Sequence, residues 1–480
     1  MEQVAFLYKG DEPGSVVLLS ALGRLALTRG VRLWSDLRTT DPGFADELSI
    51  ELGRSSAIIH CIGLKGPGFY QTRNEIPRTV QSLAAQPERR LLVVLLEGAQ
   101  PPPEFAAFDD FKSRTATVRL PADGSGAEQV LTAAAPGAQE RVDDGAVKGF
   151  ASDAIDRTVG GDVQSSLTIV VGPYAYAESI DRTATPYTAI QQLLDNKGLP
   201  GKAPWLDVMG SVARATNRQL VFAAGDVAKA QAGGPRASAG QLGVYLRLLA
   251  ANWGRRPGKS RLYIVACDAD TRVDMPLRSD VGPVQHLRLV HTPRETPRVF
   301  AERVVASNGT LQRNPVTNLD RLEPTDRVVL IKPLGCFEKP ERALITAEHW
   351  RASSGCMMEL PLGVAQDMAN GFLLVLGAGA FAPSLQIVFQ SLLRDALKRV
   401  DDNSDRYMIH SPEANVEDPL HNLEAALARA PSQAQAQRRA TYDAWLRDTY
   451  GLELRLYDPL LLLAWLDTCL AELPPARKAG

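Results

Sequence analysis

Residues 57–80 read AIIHCIGLKGPGFYQTRNEIPRTV. The run Ala57–Gly63 is apolar enough to be a buried strand, and Leu64–Gly68 (LKGPG) has the glycine and proline content of an exposed turn. The residues after it carry helical spacing. A single carboxylate, Glu75, falls just beyond the strand at the expected helix start. Loops at strand ends are where α/β proteins carry their chemistry, so Glu75 is the leading candidate for a catalytic group. The plainer reading is a glutamate in the first turn of a helix, favoured there by the macrodipole.

Outward from this stretch, the chain alternates strands and helices. Val4–Tyr8 (VAFLY) reads as a strand, residues 9–15 (KGDEPGS) as a polar loop, and residues 16–30 (VVLLSALGRLALTRG) as a helix. A strand VRLW follows, then the polar loop SDLRTTDPG ending in Pro42 and Gly43, then a helix over Phe44–Ser55. Beyond the Glu75 helix come a buried strand, Leu91–Leu96, and a proline-rich loop, EGAQPPPEF. Strand and helix alternating at this spacing imply a parallel sheet covered on both faces.

Four features of this N-terminal region, RGVRLWSD, DPGFADELSIELGRSSAIIHCIG, the NEI around Glu75 and VVLLEGAQPPPEF, together resemble a bacterial TIR domain over about Val4–Pro121. The resemblance implies a flavodoxin-like fold and, at the position of Glu75, a glutamate needed to cleave the nicotinamide–ribose bond of NAD. The loop Asp36–Gly43 resembles the family's BB loop, which closes over or joins neighbouring subunits. The opening YKGDEPGS departs from the family's serine-rich first loop, so contacts there transfer only loosely.

The implied chemistry needs few residues. Nicotinamide is already a cationic leaving group, so cleavage calls for stabilising an oxocarbenium-like ribose and holding its hydroxyls rather than for a strong acid. Trp34, Phe69 and Tyr70 are candidates for an aromatic wall against a ring of NAD, and Lys9, Arg38 and Arg73 for diphosphate partners. The alternative for Trp34 is a core residue at a strand end, and for the cations, solvated side chains.

Composition bounds the class. With 480 residues the chain is long enough for two or three domains, and 45% hydrophobic with 22% charged residues describes an ordinary globular protein. A formal net charge of −2 gives no electrostatic case for direct nucleic-acid binding. The N-terminus opens directly in a strand pattern, so no signal peptide is expected, and no apolar run is long enough for a bilayer. Five cysteines (Cys61, Cys267, Cys336, Cys356, Cys469) lack CxxC spacing, which argues for a reducing cytoplasm and against structural zinc. His60, His286, His291, His349 and His410 show no metal-ligand spacing, so no metal is expected.

Residues 122–166 turn to small and acidic side chains and read as a linker with short helices over Glu128–Ala134 and Ala146–Arg157. A flexible linker would let residues 1–121 move between idle and assembled arrangements. From Leu167 strand-crossover-strand units recur: SLTIVVG, RLYIVAC, HLRLVH, RVVLIKPLGCF, GFLLVLGAGA, DRYMIH and LELRLYDP. They imply a second, larger, Rossmann-like doubly wound sheet over residues 167–480.

The order of these motifs resembles a sirtuin-like domain of the sort fused to bacterial defence proteins, covering roughly Leu167–Leu473. The site motifs depart from it. The family's glycine-alanine-glycine loop is here Gly172-Pro173-Tyr174-Ala175-Tyr176, its Thr-Asn-x-Asp is Ala266-Cys267-Asp268-Ala269-Asp270, and its catalytic histidine falls at Leu334. Tyrosine and proline crowd a phosphate loop and remove a donor, and leucine moves no proton. The second unit is therefore expected to be a degenerate sensor, scaffold or oligomerisation platform. Gly377-Ala378-Gly379-Ala380 reads as a tight turn as readily as a nucleotide loop.

These readings combine into one expectation: a cytoplasmic NAD glycohydrolase of prokaryotic antiviral defence. It would be quiet alone and switched on by self-assembly into a homo-oligomer or filament, under a phage-derived or nucleotide trigger. NAD is then the substrate, and hydrolysis and cyclisation of the ADP-ribose both remain open. Two rivals are a non-catalytic TIR adaptor and an Argonaute-associated module triggered by guide and target nucleic acid. The absence of a basic stripe interleaved with aromatics disfavours the latter.

Overall fold

The structure is a computed structural model that describes residues 2–9, 12–35, 44–138, 144–160, 165–172, 240–256, 258–267, 273–277, 284–292, 299–307, 310–317, 319, 322–336, 358–377, 388–389, 392–397, 405–410, 440 and 443–473. Two sheets carry the fold. The first has five strands, β1 (Glu2–Leu7), β2 (Val31–Ser35), β3 (Ala57–Ile62), β4 (Arg90–Leu96) and β5 (Thr115–Leu120), in the order β2-β1-β3-β4-β5. Every pairing is parallel, and Leu7 lies opposite His60 at the upper end of β1 and β3. This is the flavodoxin-like order, in which the direction of chain progression across the sheet switches between β1 and β3.

Alternation along the strands explains why they read as unbroken apolar runs. Val4, Phe6, Ala57, Ile59, Leu92 and Val94 face one layer, while Ala5, Leu7, Ile58, Ile62, Leu91 and Val93 face the other. Both faces are covered, as an all-parallel sheet requires. Helices α1 (Pro13–Thr28) and α4 (Ala127–Ala134) cover the first face through Leu18, Leu22, Val130 and Leu131. On the other lie α2 (Phe44–Arg54) and α3 (Ile76–Ala85), through Leu48, Leu52, Ile76 and Leu83.

The second sheet has nine strands, β6 (Leu167–Val171), β7 (Leu262–Ala266), β8 (His286–His291), β9 (Val299–Ser307), β10 (Thr310–Pro315), β11 (Val328–Lys332), β12 (Phe372–Leu376), β13 (Arg406–His410) and β14 (Glu453–Leu456). Their order is β10-β9-β8-β11-β7-β6-β12-β13-β14. The strands from β8 across to β14 pair in parallel, and β9 and β10 add an antiparallel edge. The chain goes one way from β6 to β7 and returns to the other side at β12, which makes the sheet doubly wound, with its crevice between β6 and β12.

Between the two sheets lies one continuous helical layer. It joins α1 and α4 with α5 (Gly145–Ile155), α6 (Gly240–Arg255) and α8 (Pro459–Glu472), while α7 (Leu362–Asn370) packs on the far face of the second sheet. Helix α8 reads PLLLLAWLDTCLAE, apolar around its whole circumference, and 11 of its 14 residues are buried. A helix of that kind must be covered on all sides, and α8 meets α5, α6 and α1. Asp458 caps it, accepting from the amides of Leu460 (2.8 Å) and Leu461 (3.0 Å).

The expected linker is thus packed rather than loose. Its helices fall where the sequence puts them, but Val130, Leu131, Val147, Ala151 and Ile155 are buried in the shared layer. Trp465 also donates to Asp144 (3.0 Å). A free swing of the first sheet on this segment would uncover that apolar surface. Among the described residues, no helix is long and apolar enough to cross a membrane.

A polar knot sits inside the layer. Asp467, wholly buried on α8, accepts from Ser20 of α1 and from Asn252 of α6 (2.6 Å). Arg24 of α1 stacks over the Trp465 ring at 4.1 Å, and Arg247 donates to the Tyr8 hydroxyl (3.3 Å). Burial raises the Asp467 carboxyl to about 6, against the lowering pull of its two hydrogen bonds and of Arg255. Because the folded value lies above the unfolded one near 4, the folded chain binds the extra proton between these pH values. Stability therefore falls as pH rises through about 4 to 6, by about 3 kcal/mol in total. In Asp467→Asn the amide oxygen can still accept from Asn252 and the amide nitrogen can donate to the Ser20 hydroxyl, without the charge. Thermal unfolding at pH 4 and pH 8 should show the variant gaining on the wild type at pH 8 and losing most of this pH dependence.

Candidate functional site

The upper ends of β1, β2 and β3 gather polar side chains that an apolar sheet has no structural use for. Glu75 is reached through a continuous helical run that begins at Phe69, six residues before it, so it lies inside a helix rather than at its start. Residues Gln71–Glu75 form a π turn, closed by the Ile76 amide donating to the Gln71 carbonyl. Pro77 explains it. Proline has no N–H to give the carbonyl four residues back and its ring displaces that carbonyl, so the helix widens by one residue to continue. The widened turn sets the direction of Glu75, which is only 2% exposed.

Three further buried polar side chains at this end of the sheet were passed over by sequence reasoning. Glu12 precedes α1 at its cap position without capping it, is 8% exposed, and leaves Oε2 buried with no hydrogen-bond partner. Its Cγ and Cδ press on Gly63, where an added Cβ would stand 2.3 Å from both. Gln71 is buried on the π turn, its Oε1 accepting from the Gly68 amide (3.3 Å) and its Nε2 unpartnered. Ser35, the last residue of β2, is buried with its hydroxyl unpartnered. Leaving such groups unsatisfied costs about 1–3 kcal/mol each. The signal that could have found Glu12 was a glutamate where a helix normally takes Ser, Thr, Asp or Asn.

The other candidates fall at different depths. Lys9 is half-buried, its stem 3.6 Å from the Cβ position of Gly68. Tyr70 is half-buried against the far core, and Trp34 is packed within that same core. Phe69 is 73% exposed, with the Arg73 guanidinium stacked on its ring at 4.7 Å. Arg38 and the loop Asp36–Gly43 lie outside the described residues.

Neighbouring buried groups are inert. His60 is fully enclosed, its Nε2 3.0 Å from the Thr79 hydroxyl and its ring between Phe105 and Phe108. Burial lowers it to about 3, so it stays neutral at ordinary pH. Burial pushes the Cys61 thiol up to about 12; the Ser15 hydroxyl at 3.3 Å opposes the rise and the Glu12 charge adds to it.

At the crevice of the second sheet, Gly172 donates to Leu376 (2.9 Å) and Gly377 has φ +55°, the conformation of a tight turn. The rest of both loops, and residues 268–270, lie outside the described residues. Leu334 packs against the apolar core beside Gly335. A charge network missed from the sequence fills the ends of β8 and β11. Lys332 and Arg288 each donate to Asp274 at 2.6 Å, and Arg288 also reaches Glu302 (2.8 Å) and the Cys336 sulfur (3.0 Å). Asp274 and Lys332 are wholly buried, so removing one partner strands the other charge. His286 and His291 lie against the carbonyls of Val284 (2.8 Å) and Pro333 (3.0 Å) as core residues, while His349 and the His410 side chain lie outside the described residues.

Among the described residues, no group of His, Cys, Asp and Glu is arranged to hold a metal ion. No protein-family model matches the chain, and no curated protein matches its sequence.

Gly63→Ala tests the contact between the turn and Glu12. Overpacking there should destabilise the chain by about 1–3 kcal/mol. In a Glu12→Ala background most of that cost should vanish, and chemical unfolding of the four proteins in a double-mutant cycle measures the coupling.

Proposed function

We propose that the first sheet carries an NAD-cleaving site with Glu75 as its catalytic carboxylate. The observation that carries this reading is a buried acid on a π turn, joined by Glu12, Gln71 and Ser35, at the strand ends flanking the β1/β3 crevice. That crevice is where doubly wound sheets take nucleotides, and buried unsatisfied groups cluster where a ligand completes them. The resemblance to TIR domains supplies the reaction and the expected role in antiviral defence.

In the reaction, the bond from the nicotinamide nitrogen to ribose C1′ breaks and its electron pair leaves with the nitrogen, which turns a cationic ring into neutral nicotinamide. Glu75 stabilises the positive charge left on the ribose and holds a ribose hydroxyl. Water then adds at C1′ and gives up a proton; an adenine nitrogen in its place gives the cyclic product.

Glu75 is nearly closed off in the single chain, which suits an enzyme that must stay quiet until assembly opens and completes its site. The same burial favours a second reading, a structural glutamate in an adaptor. The degenerate character of the second unit is supported by Leu334, half-buried against the core, and by a charge network whose members satisfy one another.

Chromatography of products from NAD across a protein concentration series separates the readings. Nicotinamide release should rise more steeply than protein concentration, and Glu75→Gln should lower it by at least about 100-fold, near 3 kcal/mol of transition-state stabilisation. Its unfolding temperature should stay within a few degrees of the wild type. Cleavage that survives the substitution leaves Glu75 a structural residue.

A further inference from the structure

The cleavage step uses Glu75 and leaves Glu12 and Gln71, two of the three other buried polar side chains at this end of the sheet, without a function. Glu12 offers an acceptor, Oε2, and Gln71 offers a donor, Nε2; both residues are more than nine-tenths buried and neither atom has a hydrogen-bond partner. Both are packed or bonded to one turn, residues 63–68. Glu12 presses on Gly63, Gln71 is fastened to the amide of Gly68, and the Gly66 amide closes the turn on the Gly63 carbonyl (3.0 Å). The Glu12 amide donates to the Lys9 carbonyl (3.1 Å), and the Lys9 stem lies along Gly68. Glu12, Lys9, Gly68 and Gln71 thus form a connected rim rather than scattered side chains.

We propose that Glu12 and Gln71 recognise the carboxamide of the nicotinamide ring. Glu12 Oε2 accepts from the carboxamide N–H, and Gln71 Nε2 donates to its carbonyl. This rests on the NAD-cleaving reading of Glu75. A primary amide presents a donor beside an acceptor, the complement of this pair. A phosphate offers only acceptors and negative charge, which Glu12 repels. The ribose bearing the breaking bond is engaged by Glu75, so the ring next to it is nicotinamide rather than adenine. A carboxylate in place of the amide would put two anions together in a buried site and remove the donor, so the pair acts as a specificity filter.

The test compares kcat/KM for NAD, for nicotinic acid adenine dinucleotide, which carries a carboxylate at that position, and for nicotinamide hypoxanthine dinucleotide. The assembled wild-type protein should prefer NAD over the carboxylate analogue by at least about 100-fold. Glu12→Gln should bring that ratio below about tenfold. Gln71→Leu should slow NAD by more than tenfold through kcat/KM, with the hypoxanthine analogue slowed equally. The wild-type ratio decides the matter even where a variant fails to fold. Equal turnover of NAD and the carboxylate analogue, or discrimination falling on hypoxanthine instead, overturns the carboxamide assignment while leaving Glu75 in place. Cleavage of none of the three at any protein concentration removes the NAD reading, and this inference with it.

Discussion

The structure depends on the burial of helix α8 between two sheets. A segment as apolar as PLLLLAWLDTCLAE cannot stand at a protein surface, and its own sheet covers only part of it. Helix α1, which belongs to the first sheet, supplies the rest of the cover, so the two α/β units share one core rather than meeting across a wet interface. Apolar burial has no direction, however, and Asp467 supplies one. Its contacts to Ser20 and Asn252 fix how α1 and α6 sit on α8, because sliding either helix would strand a buried carboxylate.

The first sheet shows a second constraint at smaller scale. Pro77 should end a helix or bend it, yet Ile76–Ala85 continues the run begun at Phe69. Opening one turn to the π form absorbs the proline, and two residues of that turn, Gln71 and Glu75, are buried. The one extra residue of this turn offsets the helical phase across it by roughly 100° relative to a regular helix, and Gln71 and Glu75 are its buried side chains. Backbone chemistry two residues downstream thus positions the acid.

Much of the fold was legible because parallel strands buried on both faces leave a plain signature. Ala57–Ile62 and Leu91–Leu96 could hardly be anything else, and glycine- and proline-rich turns marked their ends. Strand β5 was not legible: TATVRL has an exposed pattern at a sheet edge, and local periodicity does not show pairing to β4. The antiparallel β9–β10 edge carried a signal that went unread, the dipeptide Asn308-Gly309 between alternating residues. At the site, Glu75 stood out by its place after a strand. Glu12 and Gln71 did not, because their meaning lies in unsatisfied atoms, and a sequence does not show which polar atoms end up enclosed. Composition likewise suggested a loose connection over residues 122–166; small residues such as Ala151 and Ala154 are also what close helix packing selects.

These constraints meet in α1. Its first turn follows Glu12 at the site, and eight residues on, about 12 Å at 1.5 Å per residue, Ser20 grips Asp467 in the shared layer. Gly23 is placed against the Tyr245 ring so closely that any added Cβ would lie 2.4 Å from its hydroxyl, so the helix is clamped as well as bonded. A single rigid element therefore carries both a wall of the candidate site and the contact with the second sheet. Moving the two sheets apart on a hinge would require unpacking that helix, whereas a small shift of α8 or α6 would be carried along α1 directly to Glu12. Any coupling between the halves of this chain would therefore have to pass through the packing of one helix, without a flexible tether.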